Sequence, residues 1–411
     1  MHFERLIKVP LLEALVDTRV VFVVGARQVG KTTLVSGLAV DESPMASFTL
    51  DDQTSREAAQ RDPAGYVAGL NPPVLIDEIQ RAPDLLLEIK KVVDRNPEPG
   101  QFLLTGSANV LATRKVKDAL TGRIETIKLW PLMQAEIEGC ARNFIDSIFS
   151  GQPPRVTNAP VGRAALKGRL TEGGYPEAIR RKPARRNAWF RNYLESTLDR
   201  DLRDLADVVK TEAMPGLLRL LASQSANVLT YRRIAEALDL NHETVKTYVG
   251  LLEQLSLVQR IPGWRPGLGN RETAKPKIHV VDSGMLCHLL GADEARAFSD
   301  DQVTGRAMES FVAMEIVRHE NWADSQVRIY HYHQADRDID LVIERSDGKV
   351  VAVEIKSSAT TRASDYRWLE DLRARLGDRF VAGIVICTSE QTAPLGDRLW
   401  EVPVSALWQA E

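Results

Sequence analysis

Eight consecutive residues, Gly25-Ala26-Arg27-Gln28-Val29-Gly30-Lys31-Thr32, constrain this chain more than any others. They spell GxxxxGK[ST], follow the apolar run Val20 to Val24 and open a helix-like stretch. A strand that ends in a glycine-rich loop and runs straight into a helix turns backbone N–H groups inward around an anion. The positive end of the helix adds to them. The segment Gly25 to Thr33 is therefore expected to bind a nucleoside triphosphate, ATP in the first place. Lys31 would bridge the β- and γ-phosphates, and the Thr32 hydroxyl would ligate Mg2+. A bare glycine-rich turn is the plainer reading, and it leaves the agreement of pattern and context unexplained.

Downstream, Pro73-Val74-Leu75-Ile76-Asp77-Glu78 ends an apolar strand in two carboxylates. Asp77 at the strand end can hold Mg2+ through water, and Glu78 can orient and deprotonate the attacking water, which points to hydrolysis as well as binding. A further apolar strand ends in Thr105-Gly106-Ser107-Ala108-Asn109, where Ser107 or Asn109 could sense a γ-phosphate or simply turn the chain. Arg123, in Leu120-Thr121-Gly122-Arg123, could stabilise transition-state charge in cis or across a subunit contact, or be a solvated arginine at a strand start.

The segments GARQVGKTT, LIDEIQ, LLTGSAN and LTGR with LWPL, together with GGYPE at 173 to 177 and RDL at 200 to 202, resemble the prokaryotic AAA-type ATPases that carry a C-terminal domain of unknown function. The resemblance spans nearly the whole chain. It implies an α/β fold with a P-loop core of the ASCE/AAA type and an ATPase activity. It implies no physiological role, because members are known mostly as predicted ATPases.

The residues themselves support an α/β core. Val20 to Val24, Ala46 to Leu50, Val74 to Ile76, Phe102 to Leu104 and Ile124 to Leu129 alternate with helix-like stretches. Runs apolar at nearly every position suit a parallel sheet covered on both faces, with function at the C-terminal ends of its strands. A chain of 411 residues exceeds one ordinary core, and GQPPRVTNAPVG at 151 to 162 reads as a connection. The expected division is an ATPase domain over 1–150, a helical and winged-helix region over 163–265, and a C-terminal domain over 266–411. A net charge of -3 supplies no global attraction for nucleic acid, so any DNA contact must be local. Cys140, Cys287 and Cys387 lie far apart and form no disulfide framework. With no export signal and no long apolar run, the expectation is a soluble cytoplasmic protein with no membrane contact.

In the middle region, Ser223 to Trp264 reads helix, turn, helix, strand, the order of a winged helix-turn-helix. Asn241 is placed to cap the second helix, and Val245, Tyr248, Val249, Leu252 and Leu255 form its core face. The outward residues Glu243, Lys246, Thr247, Glu253 and Gln254 are nearly neutral, a weak footprint for phosphate contacts. Earlier, Arg180, Arg181, Lys182, Arg185, Arg186 and Arg191 surround Trp189 and Phe190, either as a backbone-binding patch or as a solvated helix face.

Near the C-terminus, Asp340 followed by Glu354-Ile355-Lys356 has the spacing of the PD-(D/E)xK nucleases, with Glu309 on an upstream helix as a third acid. The cluster resembles a restriction-endonuclease-like fold. In that chemistry Asp340 and Glu354 would hold Mg2+ and Lys356 would steer water toward a phosphodiester. The Pro that normally precedes the first acid is absent, and the same fold also serves as a binding scaffold.

Two functional readings follow. In one, ATP hydrolysis is coupled to action on DNA through the nuclease-like domain. In the other, a regulatory ATPase switch controls a protein partner and that domain only docks. Homo-oligomerisation is open in both.

Overall fold

The computed structural model describes residues 3–106, 120–154, 156, 161–201, 211–266, 271, 273–292 and 300–409. Two compact units emerge, Arg5–Pro131 and one that contains Leu132–Glu411. The division falls before the expected connection at 151 to 162, and the middle and C-terminal regions share one unit. The reason lies in contacts that composition does not record. The Gln134 N–H, for example, donates to the buried Glu315 carboxylate at 2.9 Å.

In the first unit the strands are β1 (Val20–Val24), β2 (Ala46–Thr49), β3 (Val74–Asp77), β4 (Phe102–Gly106) and β5 (Ile124–Lys128). They form a five-stranded sheet in the order β2-β3-β4-β1-β5, with every pairing parallel. β1, β3 and β4 are buried at every position, as their unbroken apolar runs anticipate, while β2 and β5 are the partly exposed edges. Helix Leu85–Arg95 buries Leu85, Leu86, Ile89 and Val93 in the same core as Phe22, Ile76 and Leu104. Parallel alignment puts the C-terminal ends of β1, β3 and β4 side by side, with β4 between the other two, and that is where the motif residues stand.

The second unit holds two sheets. β6 (Asn227–Val228), β7 (Val258–Ile261) and β8 (Lys277–Val280) form one in the antiparallel order β6-β8-β7. They interleave with helices Met214–Ser223, Tyr231–Leu238 and His242–Gln254. Asn241 caps the last of these by accepting the Glu243 N–H at 2.8 Å, and Val245, Tyr248, Val249, Leu252 and Leu255 are buried.

The other sheet is mixed and six-stranded, in the order β13-β14-β12-β11-β10-β9. Its strands are β9 (Val327–Gln334), β10 (Arg337–Arg345), β11 (Val350–Ile355), β12 (Phe380–Cys387), β13 (Ala393–Gly396) and β14 (Leu399–Pro403). Helices Asp301–Glu320 and Ala363–Leu376 pack in the same unit.

The GGYPE segment is a structural clasp within this unit. Gly173 has φ 69°, and a side chain there would stand 2.3 Å from an Asp282 carboxylate oxygen. A methyl on Gly174 would stand 2.2 Å from the Leu132 carbonyl oxygen. The buried Asp282 instead accepts the Gly174 and Met285 N–H groups at 2.6 and 2.8 Å, and its burial raises its pKa. Among the described residues, no helix is long and apolar enough to cross a membrane.

Candidate functional site

The loop after β1 is shaped by backbone needs. Gln28 and Gly30 have φ of 60° and 96°, and Gly30 is the left-handed residue from which helix Lys31–Asp41 begins. A methyl on Gly25 would meet the Leu129 carbonyl oxygen at 2.2 Å, so the first glycine is required by close approach to the chain beyond β5. Arg5 holds the loop from outside the motif, donating to the Val29 carbonyl at 2.9 Å and the Trp130 carbonyl at 2.6 Å.

The buried Lys31 ammonium donates to the Gly25 and Ala26 carbonyls at 3.1 and 2.9 Å, and so lies within the loop itself. Thr32 donates its hydroxyl to both oxygens of Asp77, at 3.0 and 3.2 Å, which joins the loop to the end of β3. Thr105 at the end of β4 completes the group: its hydroxyl donates to Asp77 and accepts the Glu78 N–H at 3.1 Å. Glu78 stands in the left-handed region with φ 60° and ψ 44°, and the Gln80 amide donates to its carboxylate. Gln80 in turn lies against Gly106, where an added methyl would come within 2.5 Å of its amide oxygen.

A hydroxyl and a carboxylate converging on one point are hard oxygen donors of the kind Mg2+ takes when phosphates and water supply the rest of its shell. The residues therefore fit a magnesium–nucleotide complex. Arg5, Thr105 and Gln80 escaped the sequence reading. Thr105 had a signal, as a polar residue closing an otherwise apolar strand, whereas Arg5 had none.

The two sensor candidates, Ser107 and Asn109, lie outside the described residues. Of the two readings of Arg123, the structure favours the arginine at a strand start. It precedes β5, its backbone carbonyl accepts the Val20 N–H at 3.2 Å, and so it stands at the opposite end of the sheet from the loop. Five residues of extended β1 separate the two ends, about 16 Å at ~3.3 Å per residue. Arg123 donates there to Asp94, whose carboxyl it holds below the usual range together with Lys90. A role in cis on its own nucleotide is excluded by that placement.

In the second unit Glu309 and Asp340 come together on a residue that sequence reasoning missed, with the Glu354–Lys356 pair beside Asp340. Lys277 of β8, only 3% exposed at its side chain, donates to Glu309 at 2.9 Å and Asp340 at 3.0 Å, with Asp338 at 3.5 Å. Asp340 falls where the β9–β10 register shifts between Ile339 and Val342, and its second oxygen accepts the Ile355 N–H at 2.9 Å. A bulge of this kind re-aims a side chain. Lys356 lies just past the end of β11 and pairs with Glu354 at 2.7 Å. Burial and the nearby Asp340 charge push Glu354 up to about 8. Burial raises Asp340, but Lys277 outweighs it and holds the carboxyl below its ordinary value. Among the described residues, no three His, Cys, Asp or Glu side chains are disposed to hold a metal ion.

Of the basic run, Arg186 is buried and bound to the Ala178 and Arg181 carbonyls at 3.2 and 3.0 Å and to Glu172 at 3.2 Å. Arg181 pairs with Glu177, and Trp189 stacks on Tyr193 with centroids 5.0 Å apart. These residues serve the helix Pro183–Ser196 and its neighbours, which weakens the case for a free phosphate-binding face.

Comparison with known proteins agrees with the geometry of the first unit. Residues 17–138 match the family described as AAA domain, residues 163–296 match Domain of unknown function (DUF8612), and residues 304–407 match Domain of unknown function (DUF4143). The uncharacterized protein Rv2008c of Mycobacterium tuberculosis is 28% identical over 97% of this chain and 82% of its own length, and the uncharacterized protein Mb2031c of Mycobacterium bovis is similar to the same extent. Among solved structures, the Thermotoga maritima RuvB Holliday junction branch migration motor is 19% identical, covering 62% of this chain and 89% of that one, at a TM-score of 0.29. The last likeness is too loose to compare the two molecules. The first unit is an ATP-binding P-loop domain of the AAA type, and the chain is an ATPase.

Proposed function

We propose that hydrolysis here is magnesium-dependent, with Glu78 as the base, and that the nucleotide cycle acts on a macromolecule through the second unit. The observation that carries the first part is the convergence of Thr32, Asp77, Thr105 and Glu78 at the ends of β1, β3 and β4. Lys31 would exchange its loop carbonyls for β- and γ-phosphate oxygens. Glu78 would take a proton from the attacking water, giving ADP and inorganic phosphate. Mg2+, when bound through Thr32 and Asp77, supplies charge neutralisation on those oxygens. Phosphate release by the wild type against Lys31→Ala and Glu78→Gln tests this, and equal rates in all three would end it.

For the macromolecule, DNA is the first reading. It is supported by the order of helices and strands from Met214 to Val280, within which the winged-helix reading of Ser223 to Trp264 falls, and by the β6-β8-β7 sheet. A specific observation favours the second reading, a switch on a protein partner: Lys277 sits among the acids that a nuclease would use for metal. Incubation with supercoiled and linear DNA plus Mg2+ separates the two. Salt-sensitive binding supports DNA. Neither binding nor cleavage leaves the protein-partner switch.

A further inference from the structure

We propose that the ammonium of Lys277 is the resident cation of the Glu309–Asp338–Asp340 group, beside Glu354, so that these acids take no divalent metal ion while the lysine is present. The idea rests on the nuclease-like reading of the second unit, yet its test involves no DNA and stands apart from any test of cleavage.

The geometry is that of a filled site. Three carboxylates, from helix Asp301–Glu320 and from β10, lie within 3.5 Å of one nitrogen that is nearly sealed from solvent. Asp340 spends its second oxygen on the Ile355 N–H, and Glu354 spends one of its oxygens on Lys356. Burial alone would lower the Lys277 pKa, but Asp340, Glu309 and Asp338 overcome it and hold the value well above that of an ordinary lysine. The group is therefore a permanent cation. A divalent ion at the same point would need to stand within about 2.0–2.6 Å of the same oxygens, and it would meet the ammonium charge there. Glu309 and Asp340 direct their oxygens at Nζ instead of at such an ion.

Removing the ammonium while keeping an unbranched stem leaves buried acids without their cation, which a divalent ion can satisfy. The test uses the whole 411-residue chain in a Thr32→Ala background, without nucleotide, so that the phosphate loop contributes no metal. Bound Mn2+ is counted by the loss of the free-ion paramagnetic resonance signal, alongside thermal melts. Lys277→Met is expected to melt lower than its parent and to gain one Mn2+ at least about tenfold tighter than anything the parent holds. Its melting point should rise with Mn2+, and Asp340→Asn should abolish the gain. If Lys277→Met fails to fold, Lys277→Met with Glu309→Gln removes the ammonium together with one of the acids it binds and should gain the same ion on Asp340 and Glu354. A folded variant that gains no Mn2+ overturns the proposal. So does the parent chain alone, if it binds one Mn2+ that Asp340→Asn removes.

Discussion

At the residue scale the nucleotide site is a chain of short polar contacts, and each link has a measurable weight. Replacing Thr105 by Val keeps the shape of β4 but removes one donor to Asp77 and one acceptor for the Glu78 N–H. Hydrogen bonds to charged groups contribute about 1.5–3 kcal/mol, so kcat should fall by roughly ten- to a hundredfold with nucleotide affinity little changed. Glu78→Gln should retain ATP binding and lose about 10²–10⁴ in kcat in single-turnover phosphate release, the range that general-base catalysis supplies. Arg123→Ala should leave the turnover of an isolated chain unchanged, since its partner is Asp94; a large loss that appears only as protein concentration rises would reveal a role in trans. The motif residues were legible because phosphate chemistry demands fixed types at fixed spacing. Thr105, Gln80 and Arg5 were not, because what recruits them is adjacency of strand ends and loops, and spacing along the chain does not encode it.

Elements were legible where burial is two-sided. β1, and β3 and β4 up to their polar ends, announce themselves by apolar runs, whereas the glycine pair before Pro176 carried no structural expectation. That pair supports a sharp prediction: Gly174→Ala forces a methyl toward the Leu132 carbonyl at 2.2 Å. It should cost about 1–3 kcal/mol in chemical denaturation, the range of overpacked sites, whereas Gly168→Ala, in a helix with nothing near it, should be neutral or stabilising. Less could be read from the edges. The two residues of β6 are too short to show any period, and the shift in β10 that turns Asp340 inward depends on how β9 pairs with it.

The whole molecule divides where sequence gave little sign of it. Pro and Gly at 151 to 162 mark a connection, but a boundary depends on which buried polar groups find partners, and Glu315 and Arg318 bind segments far from them in the chain. Lys277 belongs to the same account, since it ties the sheet of β8 to β10. Stability of the second unit should also depend on pH through three buried imidazoles. Burial lowers His279 to about 3 and His319 and His331 to about 4, so they stay neutral in the fold and take up protons on unfolding. Their contribution is complete above the unfolded pKa near 6.5 and is lost as pH falls toward about 4. His319→Gln, which keeps a donor for the Leu407 carbonyl, should flatten the decline of the melting temperature between those limits. The backbone of Glu78 leaves a last mark on the stability of the whole. A carboxylate with φ 60° occupies a conformation that glycine adopts freely and that other residues enter at a cost of about 1–2 kcal/mol. A turn needed only for chain reversal would be better made by glycine. Glu78→Gly should therefore melt above Glu78→Ala while both are inactive, and the difference in heat resistance between two dead enzymes would measure what the living one gives up to keep an acid at that corner.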